Sequence, residues 1–344
     1  QRTNPSLRQA AAGLLLGALA LVLLVFMNIF TNVWGYVPPI SPFFRNKYWL
    51  PFLLIVGGIT LLVALQQREA PVGRKGVRGR ALWGWAALLV LVFAATLVGA
   101  LPKKIYNAGD VDRTSLIVMT YNMQQANDMY GEKSYPQQLA LFREVMPDIL
   151  ALQESDSARI SLNNNDYVRY YADQLGYYSY YGPTPLTGTY GSAILSRYRL
   201  ETPRAIFSYS DKDETGTAAA EIEVGGRRFS IFSVHPDSSD EAMVVFAQDL
   251  LKQAAGKDNV IALGDYNLRD YEEAYQIVDA ALKNAWTDIY PSEIGADGTD
   301  MSGDNRIDHI FVSETLGVRN AVYLLRPESA TDHPTHWTEV FWEE

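Results

Sequence analysis

The 344 residues contain no cysteine. This excludes disulfides, thiolate metal sites and a cysteine nucleophile, and leaves stability to packing alone. Histidine is limited to four residues, so imidazole chemistry has few candidates. Acidic residues are almost missing from the first 101 positions, where nine Lys/Arg stand against Glu69 alone. The remainder carries twenty Lys/Arg and 38 Asp/Glu, a balance of −18 concealed within the overall −10. A surface so acidic repels polyanions, which disfavours a nucleic-acid substrate. A local strip built from Arg159, Arg169, Arg197, Arg199 and Arg204 is the one exception the sequence allows. No internal repeat is present.

Residues 1–101 form a region of their own. Three uncharged apolar runs, at about 10–30, 49–65 and 81–101, each approach the ~20 residues an α-helix needs to cross a bilayer, and three transmembrane helices are predicted. The middle run contains Pro51, Gly57 and Gly58 and also fits a buried hairpin arm. A cleaved signal peptide fits the first run poorly, because the run is long for a signal core and two more follow it. Arg2 and Arg8 precede the first run, and Arg68, Arg74, Lys75, Arg78 and Arg80 separate the second from the third. The linker between the first two holds only Arg45 and Lys47. This bias predicts a cytoplasmic amino terminus and, after three crossings, an extracytoplasmic remainder at the plasma membrane. Trp34, Tyr36, Tyr48, Trp49, Trp83 and Trp85 lie near the run ends, as interfacial aromatics do. No ionisable side chain lies inside a run, so nothing marks a transport pathway.

A polar tether, 102–115, leads to residues 116–344, which have the composition of a soluble α/β domain. Leu116–Thr120, Ile149–Gln153, Ser192–Ser196, Phe229–Val234, Val260–Leu263 and Ile307–Val312 read as strands. Gln137–Met146 and Glu241–Ala255 read as helices, the latter capped by Ser238, Ser239 or Asp240. Polar groups follow strand ends at Tyr121-Asn122, Gln153-Glu154, His235-Pro236, Gly264-Asp265-Tyr266-Asn267, Asp308-His309 and Asp332-His333, the places where sheet scaffolds present chemistry.

These segments, in this order, resemble the endonuclease/exonuclease/phosphatase superfamily, the DNase I-like group. They are Val118-Met-Thr-Tyr-Asn122, Leu152-Gln-Glu154-Ser, Tyr190-Gly-Ser-Ala-Ile-Leu-Ser196, Ser233-Val-His235-Pro, Leu263-Gly-Asp265-Tyr-Asn267, Arg306-Ile-Asp308-His-Ile-Phe-Val-Ser313 and Thr331-Asp332-His333-Pro. The resemblance implies an α/β fold, a four-layer sandwich of two packed mixed β-sheets flanked by helices, here preceded by the three-helix transmembrane region. A fainter likeness runs to membrane-anchored bacterial members labelled glycopeptide-resistance proteins. Two departures stand out: Ser192 occupies a position where many relatives carry Asn, and Tyr266 one that is usually Phe.

Phosphoester hydrolysis requires charge neutralisation, an activated water and a stabilised leaving oxygen. Asn122 and Glu154 supply hard oxygen ligands suited to Mg²⁺ or Mn²⁺. Glu154 emerges from a buried strand, where a charge needs a partner. By resemblance both hold the metal, with Asp332 in reach. Asp265 and Asn267 lie two apart, so an extended backbone turns both to one face, although Gly-Asp-Tyr-Asn is also turn chemistry. The resemblance makes Asp265 the group that orients or deprotonates water and Asn267 a donor to the phosphoryl oxygen. It pairs His333 with Asp308 and gives His235 a nonbridging oxygen. His309 reads as a core or supporting residue, and His336 is left open. Tyr177, Tyr178, Tyr180 and Tyr181 fit either a half-buried strand or a substrate rim.

The expected activity is a metal-dependent phosphoric ester hydrolase acting on a phospholipid or lipid-linked phosphoester at the extracytoplasmic membrane face. The alternatives are a membrane-anchored extracellular nuclease and a non-catalytic module that binds a phosphate ligand or a partner.

Overall fold

The computed structural model describes residues 6–28, 49–67, 79–100, 113–155, 165–182, 191–209, 214–236 and 239–343. The greater part of the tether, the linkers that carried the orientation argument, and Arg159 lie outside them. Contacts divide the chain into two compact units, Trp49–Ile105 and the remainder.

The three apolar runs form helices α1 (Leu7–Asn28), α2 (Trp49–Gln67) and α3 (Gly79–Ala100). Their apolar side chains are exposed on all sides, among them Leu14, Leu21, Ile59 and Leu91, a pattern that leaves no single face to pack on a soluble core. The sequence expectation of three spans needs correction. Among the described residues, no helix is long and apolar enough to cross a membrane.

From residue 115 onward two six-stranded sheets assemble. The first contains β1 (Ser115–Asn122), β2 (Ile149–Gln153), β3 (Tyr178–Tyr181), β4 (Ala193–Ser196), β11 (Gly317–Leu324) and β12 (Thr335–Phe341), in the order β11-β12-β1-β2-β4-β3. The second contains β5 (Glu201–Tyr209), β6 (Glu214–Val224), β7 (Arg227–Val234), β8 (Val260–Asp265), β9 (Lys283–Asn284) and β10 (Asp308–Val312), in the order β5-β6-β7-β8-β10-β9. Both are mixed: β1 runs parallel to β2 and β7 to β8, while the other pairings are antiparallel.

Side-chain alternation explains the layering. Leu116 and Val118 of β1 meet Ile231 of β7 and Ile261 and Leu263 of β8 in a core between the sheets. The alternate residues Met119 and Tyr121 face outward onto helices α4 (Tyr135–Val145) and α5 (Tyr167–Leu175), where Phe142 and Tyr171 are buried. On the far side, Phe232 and Ala262 meet Phe246 and Leu250 of α6 (Asp240–Ala254) and Val278 of α7 (Glu273–Asp279). Central strands are therefore apolar on both faces, at about 1.5–3 kcal/mol for each fully buried Leu, Ile or Phe. The result is helix, sheet, sheet, helix, the four layers the sequence led us to expect. A short helix, α8 (Ala285–Ile289), precedes the 290–302 loop.

Tyr177 is buried and its hydroxyl donates to the Pro147 carbonyl at 2.6 Å. Tyr180 and Tyr181 pack against the two core layers from the edge strand β3, which favours the half-buried-strand reading. His336 is a core residue of β12, stacked on Tyr323 with centroids 4.1 Å apart and its Nδ1 at 2.9 Å from the Val322 carbonyl. His309 is equally buried, with Nε2 at 2.8 Å from the Leu268 carbonyl.

Candidate active site

The parallel pairs β1/β2 and β7/β8 end together, and these ends deliver the polar residues to one place. Asn122 closes β1, Glu154 follows β2, His235 follows β7, and Asp265 closes β8. Antiparallel β10 opens on Asp308 directly opposite Asp265, and His333 lies just before β12.

Asn122 Nδ2 sits at the centre, 2.9 Å from Asp265 Oδ2 and 3.3 Å from both Glu154 Oε1 and His333 Nε2. Its Oδ1 accepts the Gln124 amide at 3.1 Å. His333 Nδ1 lies 3.0 Å from Asp308 Oδ2, and His235 Nε2 lies 3.6 Å from Asp265 Oδ2. Asp265 Oδ1 accepts the Asn267 amide at 3.0 Å, while the Asn267 side chain donates to the Pro236 carbonyl at 3.0 Å. The Gly-Asp-Tyr-Asn segment thus combines both sequence readings: Asp265 completes the strand and Asn267, with φ of +49°, makes the turn.

Asp332 is peripheral to this cluster. It is half-buried and accepts from the Thr331 hydroxyl at 3.3 Å. Ser192 is fully buried, and its Oγ has no hydrogen-bond partner among the described residues. Arg169 and Arg197 are paired with Asp173 and Asp148 at 3.0 and 3.2 Å, so they do not line up as a free basic strip.

Three supporting contacts escaped the sequence reading. The Thr331 hydroxyl donates to the Asn122 carbonyl at 2.8 Å, tying the His333 loop to β1. Gln153 joins the sheets beneath the site, accepting from Thr120 and donating to Ser233 Oγ at 3.3 Å. Buried Arg306 pairs with Glu293 at 2.7 Å and donates to Asn284 at 3.1 Å, anchoring the approach to Asp308. Thr331 and Arg306 fall inside quoted motifs, but only the fold reveals what they touch.

The site is electrostatically unusual. Asp265 and Asp308 are almost wholly buried, facing each other across β8 and β10. Burial raises the Asp308 pKa, His333 opposes that shift, and the Asp265 charge adds to it. Burial pulls His333 down, but the Asp308 carboxylate outweighs it, with Asp265 and Asp332 assisting, and the imidazole rises to about 10. Ligand atoms of Asp265, Asp308 and His333 lie within 4.8 Å of one another. Asp308 Oδ1 is buried without a partner among the described residues. Clustered hard oxygens with unmet charge fit a divalent cation. A cleft of about 360 Å³ opens beside Asn267, lined also by Asp240, Met243, Val244, Leu268, Glu272 and Glu273.

A sequence model of the Endonuclease/Exonuclease/phosphatase family matches residues 119–333. The chain belongs to this family. Its fold is similar to that of a family protein from Beutenbergia cavernae, at a TM-score of 0.52 and 16% identity over 67% of this chain and 72% of the other. A family protein from Bacteroides vulgatus gives 0.52 and 16% over 67% and 100%. The human Nocturnin catalytic domain, solved with a bound sulfate anion, gives 0.50 and 22% over 67% and 96%. In sequence the chain is also similar to Protein cwh43 of Schizosaccharomyces pombe, 26% identical over 176 residues, which are 51% of this chain but 18% of that protein.

Proposed function

We propose that this family member is a metal-dependent phosphoesterase that hydrolyses a phospholipid or lipid-linked phosphoester. The observation that carries the reading is the convergence of Asn122, Glu154, Asp265, Asp308 and His333 on one buried point at the strand ends.

Asn122 and Glu154 would hold Mg²⁺ or Mn²⁺, which when bound would supply Lewis-acid neutralisation of the phosphoryl charge. The remaining steps belong to the protein. Asp265 orients the attacking water and takes its proton, with its own geometry fixed by the Asn267 amide. Asn267 retains a second amide hydrogen beyond the one given to Pro236, and offers it to a phosphoryl oxygen as charge develops. Asp308 fixes the His333 ring, leaving Nε2 toward the phosphate. His235, beside Asp265, donates to a nonbridging oxygen.

The lipid substrate rests on two observations. Residues 102–344 carry a balance of −18 and the cleft beside Asn267 is acidic, which opposes tracking of a polyanion. Residues 1–101 hold three apolar helices, read here as membrane-associating segments that would keep the site beside lipid.

The test is hydrolysis by the full chain, with Mg²⁺ or Mn²⁺ and with EDTA, of a lipid phosphodiester, a lipid-linked pyrophosphate, a soluble phosphomonoester and DNA. Metal-dependent cleavage of a lipid substrate with DNA intact is expected. Efficient DNA cleavage would establish the nuclease instead, and inactivity throughout would support a binding module.

A further inference from the structure

Beyond residue 112 the described surface exposes seven large apolar side chains: Met129, Tyr130, Tyr135, Met146, Tyr271, Ile294 and Leu325. Their distribution is uneven. Met129, Tyr130 and Tyr135 lie on or just after the loop leaving Asn122, Tyr271 on the loop leaving Asp265, Ile294 on the loop leading to Asp308, and Leu325 on the loop leading to His333. Six of the seven therefore lie on segments that join the strand ends carrying the site. Met146 stands apart at the other end of the sheets, among Arg113, Asp148 and Arg197. That end also holds a charged cleft lined by Glu221, Arg227, Arg228, Lys257 and Asp258.

We infer that the mouth of the site is a docking surface for a zwitterionic lipid bilayer. The apolar tips stand on separate loops rather than lining one groove, which suits a deformable surface better than a peptide. Tyrosine and methionine are adaptable, partly polar side chains of the type that settles at a headgroup boundary. The most exposed tip is held in shape: Asp128 Oδ1 accepts the amides of Tyr130 and Glu132 at 2.9 and 3.0 Å, and Gly131 turns the chain at φ of +81°. Little ordering remains to oppose insertion.

Charge selects the kind of lipid. Exposed Glu132, Asp297, Asp300 and Glu328 share these loops with exposed Lys133 and Arg326, Glu273 opens α7 beside them, and Asp304 is paired with Arg269 at 2.9 Å, so the balance is acidic. The acids would repel an anionic leaflet but face the outward ammonium groups of phosphatidylcholine or phosphatidylethanolamine favourably. Docking this way places the mouth against phosphoester headgroups. The inference deepens the lipid-phosphoester reading but does not depend on turnover.

The absence of cysteine permits a direct test on the full chain. Met129→Cys and Met146→Cys, at sites of matched exposure, 40% and 41%, each carry one environment-sensitive fluorophore. Both proteins are reconstituted with phosphatidylcholine vesicles that contain a lipid quencher placed just below the headgroups. The label at position 129 is expected to be quenched strongly and the label at 146 weakly. Equal quenching, or none at 129, overturns the docking surface. Exchange of phosphatidylcholine for phosphatidylglycerol is expected to weaken quenching at 129, and unchanged quenching overturns the headgroup assignment. The same pattern in an Asp265→Asn background separates docking from catalysis. Hydrolysis can then fail while docking stands, or docking fail while lipid hydrolysis persists.

Discussion

Acid should weaken this fold through a histidine that has no part in the proposed chemistry. His336 is fully buried, stacked on Tyr323, bonded through Nδ1 to the Val322 carbonyl, and leaves Nε2 unpartnered among the described residues. Burial lowers its pKa from 6.5 to about 3, with the Val322 bond opposing and Arg306 assisting. The folded value lies below the unfolded one, so the stabilisation is complete above 6.5 and is lost as pH falls toward 3. Between about pH 7.5 and pH 5 the unfolded chain takes up nearly one extra proton at this residue, worth about 2 kcal/mol. His309, whose pKa burial also lowers, acts in the same direction. Native-state hydrogen exchange at the amides of β10 and β12, corrected for intrinsic rates, reads this loss. His336→Asn keeps a donor for Val322 but cannot titrate. It should lower stability near neutrality by removing the stacked ring, yet show a shallower loss on acidification. His333 and Asp308, whose pKa values rise on folding, oppose this loss equally in both proteins, so a slope in the variant as steep as in the wild type would refute the reasoning. The acid limb of an activity profile should accordingly contain this loss of stability and must not be assigned wholly to the Asp308–His333 pair.

Other perturbations address the site. Glu154→Gln removes a charged ligand beside Asn122 and should weaken Mg²⁺ or Mn²⁺ binding about tenfold or more in calorimetric titration; unchanged affinity would take Glu154 out of the metal site. His333→Ala and Asp265→Asn should each lower kcat by roughly 10²–10⁴-fold while preserving near-ultraviolet dichroism, and wild-type turnover in either would remove that residue from the mechanism. Arg306→Met leaves Glu293 and Asn284 without their buried partner and should destabilise the domain by about 3–5 kcal/mol, measured by urea unfolding.

The strands and their polar ends were legible because each apolar run stops at Asn, Asp, Glu or His, and the fold joins those ends by pairing β1 with β2 and β7 with β8. Less visible were strands without an apolar run. β12, with Thr335, His336 and Thr338 buried, has polar residues facing inward, because it lies between β11 and β1 where neighbours satisfy them. Helix α5 begins directly after Asp166, whose carboxylate accepts the Arg169 amide; its aromatic sequence, Tyr-Val-Arg-Tyr-Tyr, suggested no helix. The role of Gln153 was similarly hidden. It looked like the last residue of a strand beside a metal ligand, but its partner Ser233 is 80 positions away. Contacts between sheets have no local signature. The membrane expectation had the opposite difficulty: hydropathy located the helices, but hydropathy alone does not establish a span.

Half of the ten non-glycine residues with left-handed φ among the described residues lie where chemistry is proposed. Glu154 and Asn267 adopt left-handed φ values of +46° and +49°, as do three consecutive residues after β1, Gln124, Gln125 and Ala126. None is glycine, so each costs on the order of 1 kcal/mol or more. Interlocking bonds offset that cost: the amides of Met123 and Gln125 donate to the carbonyls of Gln153 and Glu154, both at 3.1 Å. The ends of β1 and β2 are thus clasped to each other, and Asn122 and Glu154 are presented as a fixed pair rather than two independent side chains. A gain in stability would come from relaxing this turn, for example by glycine at Gln125, but a looser clasp would let the two ligands drift. Strain at the strand ends that carry Asn122 and Glu154 fits the proposed cation site, which would require both side chains to be held in place before the ion arrives.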